Sequence, residues 1–268
     1  MRRWIAALLF VAVPAAAQRT TPASQEELDA ITTRGVRLAI YDRVAWIATD
    51  SVLALHPDQS RIQMYIAHPD PATGRFVVLF GRLNAARDTF LVAYRVIEHE
   101  QPGIYSTVTV DPSAPAVEQE TAMARALDLA RRDFGVPQRP YNIAVLATEG
   151  GVWSVYAIPA PTSRSPYPLG GDIRWTISSD GLRILEKRQL HKSVLEFGPP
   201  PNTAGGKKPV EDFHVAVVDN LPEDTDVFFT ITRQPLVAHL VLTKDFVYRI
   251  DTNGSIRYLG KAADLLHK

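Results

Sequence analysis

Three histidines in the last third of the chain, His191, His214 and His239, are its best candidates for chemistry. Imidazole is a common ligand of zinc and similar divalent metals, and three imidazoles leave a fourth position for water. If neighbouring strands carry them, a zinc-type site forms, with Asp212 and Asp226 as possible carboxylate companions. Their spacings of 23 and 25 residues (214 − 191 and 239 − 214) are wider than those of zinc motifs. Separate surface or hydrogen-bonded histidines are the competing interpretation.

Strand periodicity predicts where two of these imidazoles point, because successive strand side chains alternate between faces. Leu190 has the same parity as the apolar residues of the strand that begins near Leu182, so His191 has the opposite parity. In FHVAVV, which begins at Phe213, the odd-numbered residues are apolar and His214 falls between them. We therefore expect both imidazoles on the polar face of one sheet.

A second candidate is the proline-rich segment AIPAPTSRSPYPLGGDIRW, residues 157–175. Pro166, Tyr167 and Pro168 would form a rigid, exposed binding surface there, for a protein, peptide or glycan of the cell envelope. A long connection stiffened by its prolines is the alternative interpretation.

The sequence lacks the motifs that mark several common classes of enzyme. It has no G-x-S-x-G, H-E-x-x-H or Ser-x-x-Lys pattern, and GPPPNTAGGKKP, residues 198–209, is a Pro- and Gly-rich loop that lacks the Ser or Thr of a P-loop. The 29 basic and 29 acidic residues cancel, so nothing suggests a nucleic-acid partner. Whether the protein is an enzyme stays open.

The N-terminus predicts export. Arg2 and Arg3 precede an apolar run that is too short to span a bilayer and ends in AAAQ, which is typical of a signal peptide over residues 1–17 with cleavage after Ala17. An uncleaved anchor is the alternative. The chain has no cysteine, which excludes disulfides and thiolate metal sites. We expect a periplasmic or secreted protein with no stable membrane span after cleavage.

Two segments have the pattern of helices, and most of the remainder reads as strands. Ser24 and Glu27 form a capping-box pattern before an apolar stripe, and a second helix follows Pro115 and ends at Gly135. Residues 42–55 fit a helix or a strand, and DVFFTITR reads as a strand. These patterns predict an α+β fold of mostly antiparallel sheet with two main helices. It is built either as two helix-plus-strands units, residues 18–110 and 111–268, or as one continuous domain.

The sequence alone favours a non-catalytic binding or accessory module of the cell envelope. The alternatives are a metal-binding protein or metal-dependent hydrolase that uses the three histidines, and a structural component of the envelope.

Overall fold

The structure is a computed structural model that describes residues 19–101, 103–110, 114–163, 165–198 and 211–266. The predicted signal peptide, residues 1–17, and nearly all of the Pro- and Gly-rich loop lie outside these ranges. Among the helices of the described ranges, none combines the length and the apolar character needed to cross a bilayer.

The two predicted helices are confirmed. Helix α1, Gln25–Leu53, begins with the expected capping box: Ser24 Oγ accepts the Glu27 N–H at 3.2 Å, and a Glu27 carboxylate oxygen accepts the Ser24 N–H at 2.8 Å. The helix continues through residues 42–53, so most of the ambiguous segment is helical. Helix α2, Glu118–Phe134, ends at Gly135, whose φ of 75° suits a glycine at the end of a helix.

The other elements alternate short strands with turns. In chain order they are a 3₁₀ turn at Gln59–Arg61, β1 Met64–Pro69, β2 Phe76–Leu83, β3 Phe90–Glu98, β4 Tyr105–Thr109, β5 Tyr141–Ala147, β6 Trp153–Pro159, β7 Tyr167–Gly170, β8 Ile173–Ile177, β9 Ile184–Gln189, β10 Val194–Phe197, β11 Glu211–Val215, α3 Asp224–Thr232, β12 Ala238–Leu242, β13 Phe246–Ile250, β14 Ile256–Lys261 and α4 Ala262–Leu266.

Within the described residues the strands form three four-stranded sheets and one two-stranded ribbon. The first sheet has the order β1-β2-β3-β4, the second β5-β6-β8-β9 and the third β11-β12-β13-β14, while β7 pairs with β10. All pairs are antiparallel except β11 and β12. The fold is therefore α+β with mostly antiparallel sheet, as the sequence predicts.

The prediction of a strand at DVFFTITR is wrong, because most of this segment belongs to α3. Its aromatic and β-branched residues favour a strand locally. The preceding residues start a helix instead: an Asp226 carboxylate oxygen accepts the backbone N–H of Glu223 at 2.8 Å. Helix α3 then packs against α1 and connects the parallel strands β11 and β12. Parallel neighbours need such a crossover.

Helix α1 contributes to two hydrophobic cores, one at each end of the helix. Its later part, from Leu38 to Val52, packs into a core shared by the first sheet, the second sheet and α2. Its start, with Leu28 and Ile31, packs with α3 and the third sheet. The first core combines residues from both sides of the predicted boundary at 110 and 111. The division into two units stays a prediction.

Candidate metal centre

Three side chains from separate parts of the chain meet in the interior. His191 lies just after β9, His214 lies in β11 and Asp226 lies in the first turn of α3. One possible ligand atom from each falls within 4.8 Å of the other two. The residues are 7%, 3% and 0% exposed, respectively. The fold thus brings together a two-histidine, one-carboxylate set.

The distances in this set resemble the edges of a ligand tetrahedron. Asp226 Oδ1 lies 3.1 Å from His191 Nε2 and 3.7 Å from His214 Nε2. Bonds of about 2.0–2.1 Å at tetrahedral angles would place neighbouring ligand atoms about 3.3 Å apart. The 3.1 Å contact is an ion pair when His191 is protonated, but none of the three atoms makes a well-aligned hydrogen bond with the described residues. They converge on a common point instead.

A carboxylate fixes the ring of His191 from its other side. His191 Nδ1 donates to Asp172 Oδ1 at 2.7 Å, so the Nε2 lone pair of the deprotonated ring would face the centre. Asp172 follows Gly170 and Gly171, both at positive φ. A Cβ at Gly170 would lie 2.4 Å from the carbonyl oxygen of Ser193, so only glycine allows this approach. Buried carboxylate–histidine pairs of this kind orient metal ligands in proteins.

The ring of His214 is held by a longer chain of hydrogen bonds. In the parallel register of β11 and β12, Asp212 stands opposite His239 and His214 opposite Val241, so these side chains share one face. His239 Nδ1 lies 2.5 Å from Asp212 Oδ1, and His239 Nε2 lies 2.8 Å from His214 Nδ1. Because a carboxylate only accepts, His239 donates through Nδ1, accepts from His214 Nδ1 and leaves His214 Nε2 as a free lone pair.

Apolar and cationic side chains surround the outer end of this hydrogen-bond chain, at His239 and Asp212. The rings of Phe197 and Phe229 contact the imidazole of His239 at 5.5 and 5.3 Å between centroids. Arg233 pairs with both carboxylate oxygens of Asp212 and lies over the ring of Phe229. The Asp212 charge is therefore neutralised, and water is kept from the outer histidine.

The two histidines of the centre have pKa values that are shifted in opposite directions. Burial acts to lower the pKa of His191, but the charge of Asp226 and the hydrogen bond to Asp172 outweigh it and raise the pKa to about 11. Burial lowers the pKa of His214 to about 4, with His239 and His191 acting in the same direction. Burial would raise the pKa of Asp226, yet the two histidines lower it overall. In the absence of a metal, the His191 ring is therefore protonated on both nitrogens and pairs with the carboxylates of Asp172 and Asp226.

Arginines anchor the start of α3 and with it Asp226. The Asp224 carboxylate accepts hydrogen bonds from Arg34 at 2.8 Å, from Arg174 at 2.7 Å and from the Tyr156 hydroxyl at 2.8 Å. These donors come from α1, β8 and β6, respectively. The first turn of α3 is therefore tied to the elements that surround the centre.

Two of the three predicted histidines, His191 and His214, lie at the centre. His239 does not offer a ligand atom there, but its ring is hydrogen-bonded to His214. Both of the proposed carboxylate companions belong to the cluster, Asp226 at the ligand atoms and Asp212 at its outer end. The sequence analysis did not identify Asp172. Its position directly after Gly170 and Gly171 is the signal in the sequence that could have drawn attention to it.

The parity argument for the histidine faces is wrong. The odd-numbered residues from Phe213 to Val217 that were expected to be buried are 59%, 56% and 60% exposed, whereas His214 is buried. His191 and Leu190 are both buried, because the strand β9 ends at Gln189 and alternation no longer holds beyond it. The two histidines also belong to segments next to different sheets.

The predicted proline surface is partly ordered into a strand. Pro166 is exposed, but Tyr167 is half-buried and Pro168 is buried, and both of these lie in β7, which pairs with β10. The segment is thus not one long connection. Its role as a binding surface stays a prediction.

Fold and site together define an α+β protein with a buried histidine–carboxylate cluster between its second and third sheets. The chain matches no protein-family model, and neither curated proteins nor solved structures give a significant match.

Proposed function

We propose that this protein is an exported metal-binding protein whose His191, His214 and Asp226 hold one divalent transition metal, with zinc as the expected ion. The observation that carries the proposal is the convergence of three buried ligand atoms, none of which makes a well-aligned hydrogen bond with the described residues, at the distances given above. Nitrogen and carboxylate oxygen donors suit zinc and its neighbours in the first transition row. The predicted signal peptide supports an envelope location.

A bound metal would remove the main electrostatic cost of the site. Without it, His214 Nε2 is buried with no hydrogen bond among the described residues, which costs about 1–3 kcal/mol, and the charge of Asp226 is balanced only by the ion pair with His191. A divalent ion would displace the proton of His191, and its charge would balance the carboxylates of Asp226 and Asp172.

The burial of the ligands favours a non-catalytic centre over a metal-dependent hydrolase. His191, His214 and Asp226 are all at most 7% exposed, and none of them lines the cavities of about 590 and 400 Å³ that the described residues enclose elsewhere. Catalytic metal sites keep a position open to substrate, whereas structural sites are closed. The proposed centre therefore stabilises the fold or stores the metal, in agreement with a binding or accessory role in the envelope.

The test is the metal content of the purified protein after incubation with zinc and removal of excess ion. We expect one zinc per chain, and a higher Tm with zinc than after chelation, because a ligand present at 1,000 times its Kd stabilises by about 4 kcal/mol. Asp226→Asn keeps the size of the side chain and removes its charge, and His214→Ala removes a ligand. Both should lose the zinc and the shift in Tm.

His99→Ala is the matched control, because His99 is exposed and lies outside the centre. It should bind zinc as the wild type does. A wild-type protein that takes up no zinc, cobalt, manganese or iron, and whose Tm ignores both metal and chelator, would show that the cluster is a buried ion-pair network.

A further inference from the structure

A cavity of about 400 Å³ lies where the first and second sheets meet α1 and α2, and none of the residues of the proposed metal centre lines it. Its volume falls within the range of about 300–1,000 Å³ that is usual for small-molecule pockets. Much of its wall is apolar, and it includes Ile40, Phe76, Val77, Met123, Leu146 and Trp153.

Arg95 is the polar group of this cavity with unused hydrogen-bonding capacity. Its guanidinium lies 3.9 Å from Glu120 Oε1 and forms no hydrogen bond with the described residues. The oxygens of Glu120 have nearer partners, since Oε1 lies 3.3 Å from His68 Nε2 and Oε2 accepts the Val117 N–H at 3.1 Å. The planar fork of Arg95 is thus free to bind an acceptor, and a carboxylate matches it with two parallel hydrogen bonds.

Tyr41 supplies a second donor in the same wall. It is 2% exposed, and its hydroxyl, which the backbone N–H groups of Val145 and Ala67 approach, donates no hydrogen bond to the described residues. A buried hydroxyl proton without an acceptor is destabilising, so a ligand that supplies an acceptor would relieve that cost.

The remaining charges around the cavity are mixed, but its two carboxylates, Asp70 and Glu120, already have partners in the protein. Arg37 lines it and donates to the carbonyl oxygen of Ala147 at 2.6 Å, while the Asp70 carboxylate is engaged by the backbone of its own turn. The N-terminus of α2 borders the cavity as well, and its N-cap, Val117, has no side-chain acceptor. The positive end of that helix is partly offset by the Glu120 carboxylate, which accepts the Val117 N–H.

We propose that this cavity binds an amphipathic monocarboxylate, with the carboxylate on Arg95 and an aliphatic body against the apolar wall. A single negative charge complements the guanidinium of Arg95, which forms no hydrogen bond with the described residues, and a medium-length aliphatic chain suits a wall made of aliphatic and aromatic side chains.

The test is calorimetric titration of the purified protein with decanoate below its micellar concentration, with 1-decanol as the uncharged analogue. We expect saturable binding of one decanoate per chain. Arg95→Gln should weaken decanoate binding by about 10-fold or more, as loss of a charge-assisted pair implies. Decanol should bind the wild type at least about 10-fold more weakly than decanoate does. Its affinity for Arg95→Gln should equal its affinity for the wild type, because decanol has no charge to pair with Arg95.

Two further variants separate this site from non-specific binding. Arg82→Gln alters an exposed arginine of β2 outside the cavity and should leave the affinity unchanged. Ile40→Trp, at a half-exposed position of the wall, should block the cavity and abolish binding. The proposal is overturned if decanoate does not saturate, if Arg95→Gln or Ile40→Trp binds it like the wild type, or if decanol binds equally well. His214→Ala should bind decanoate normally, which keeps this result separate from the metal proposal.

Discussion

His214 depends on a hydrogen-bond chain that starts at a carboxylate two residues away in sequence and passes through another strand. Asp212 accepts from His239 Nδ1, and His239 Nε2 accepts from His214 Nδ1. Each link fixes the tautomer of the next, so the lone pair on His214 Nε2 is a consequence of the charge on Asp212.

Asp212→Asn tests this chain with a side chain of the same size. An amide can donate to His239 Nδ1, and His239 Nε2 would then carry the proton and donate to His214. His214 Nε2 would in turn be protonated and would no longer bind a metal. We expect zinc affinity, measured by competition with a chelator, to fall about 10–100-fold.

Asp219→Asn is the control for that change, because Asp219 is an aspartate that pairs with Arg188 and takes no part in the hydrogen bonds from Asp212 to His214. It should keep the wild-type affinity. Unchanged zinc affinity in a folded Asp212→Asn protein would mean that the chain does not set the tautomer of His214.

At the scale of elements, the position of α3 relative to α1 decides where Asp226 lies. Gly35 of α1 is the contact point: a Cβ built there would lie 2.5 Å from the Asp224 carbonyl oxygen and 2.5 Å from Val227 Cβ. Such distances leave no room for a side chain, and a glycine in mid-helix otherwise costs up to about 1 kcal/mol. Close packing of α1 on α3 is the physical reason for a glycine here.

Gly35→Ala should therefore push α3 away from α1 and move Asp226 from the two histidines. We expect the free energy of unfolding, measured with urea, to fall by about 1–3 kcal/mol, as for overpacked interiors. Zinc affinity should fall with it.

Gly150→Ala provides the comparison, since the nearest atom to its added Cβ would be Thr148 Oγ1 at 3.9 Å. Its stability and zinc affinity should stay close to wild type. If Gly35→Ala were equally neutral, the α1–α3 contact would not control the centre.

At the scale of the whole molecule, α1 joins the two hydrophobic cores, and α2 is fastened to the first sheet by an ion pair. His68 Nε2 in β1 lies 3.3 Å from Glu120 Oε1 in α2. Burial acts to lower the pKa of His68, but the hydrogen bonds to Glu120 and to the Pro69 carbonyl outweigh it and raise the pKa above its ordinary 6.5. Burial would raise the pKa of Glu120, yet His68 and the Val117 N–H lower it below 4.5.

These shifts define a pH window for the stability that the pair contributes. A raised histidine pKa gives stability that is fully present below about pH 6.5 and is lost as pH rises through the folded value. The lowered Glu120 pKa gives stability that is present above about pH 4.5 and is lost on further acidification. The free energy of unfolding of the wild type should therefore exceed that of His68→Gln most clearly between about pH 4.5 and 6.5.

The difference should stay below about 1 kcal/mol, because the pair is partly exposed, and should shrink above neutral pH. Urea titrations at several pH values measure it, with His99→Gln as the matched control. A difference that grows as pH rises above about 6.5 would contradict the sign assigned to His68.

The sequence predicts the elements whose signals are local. The capping box at Ser24, the stop at Gly135 and the α+β class all follow from short-range preferences and appear in the structure. Helix α3 does not follow, because its β-prone residues are overridden by the packing of α3 on α1. His239 could not be separated from the ligands, since its role depends on the parallel register of β11 and β12.

The sequence by itself determined which groups are available for chemistry: histidines and carboxylates near the end of a chain that has no cysteine. Only the tertiary structure decided that His191, His214 and Asp226 meet, that Asp172 and His239 stand behind them, and that Arg95 and Tyr41 share a cavity. Residue type and spacing carry local preferences, whereas convergence in the interior depends on how sheets and helices separated by many residues pack together.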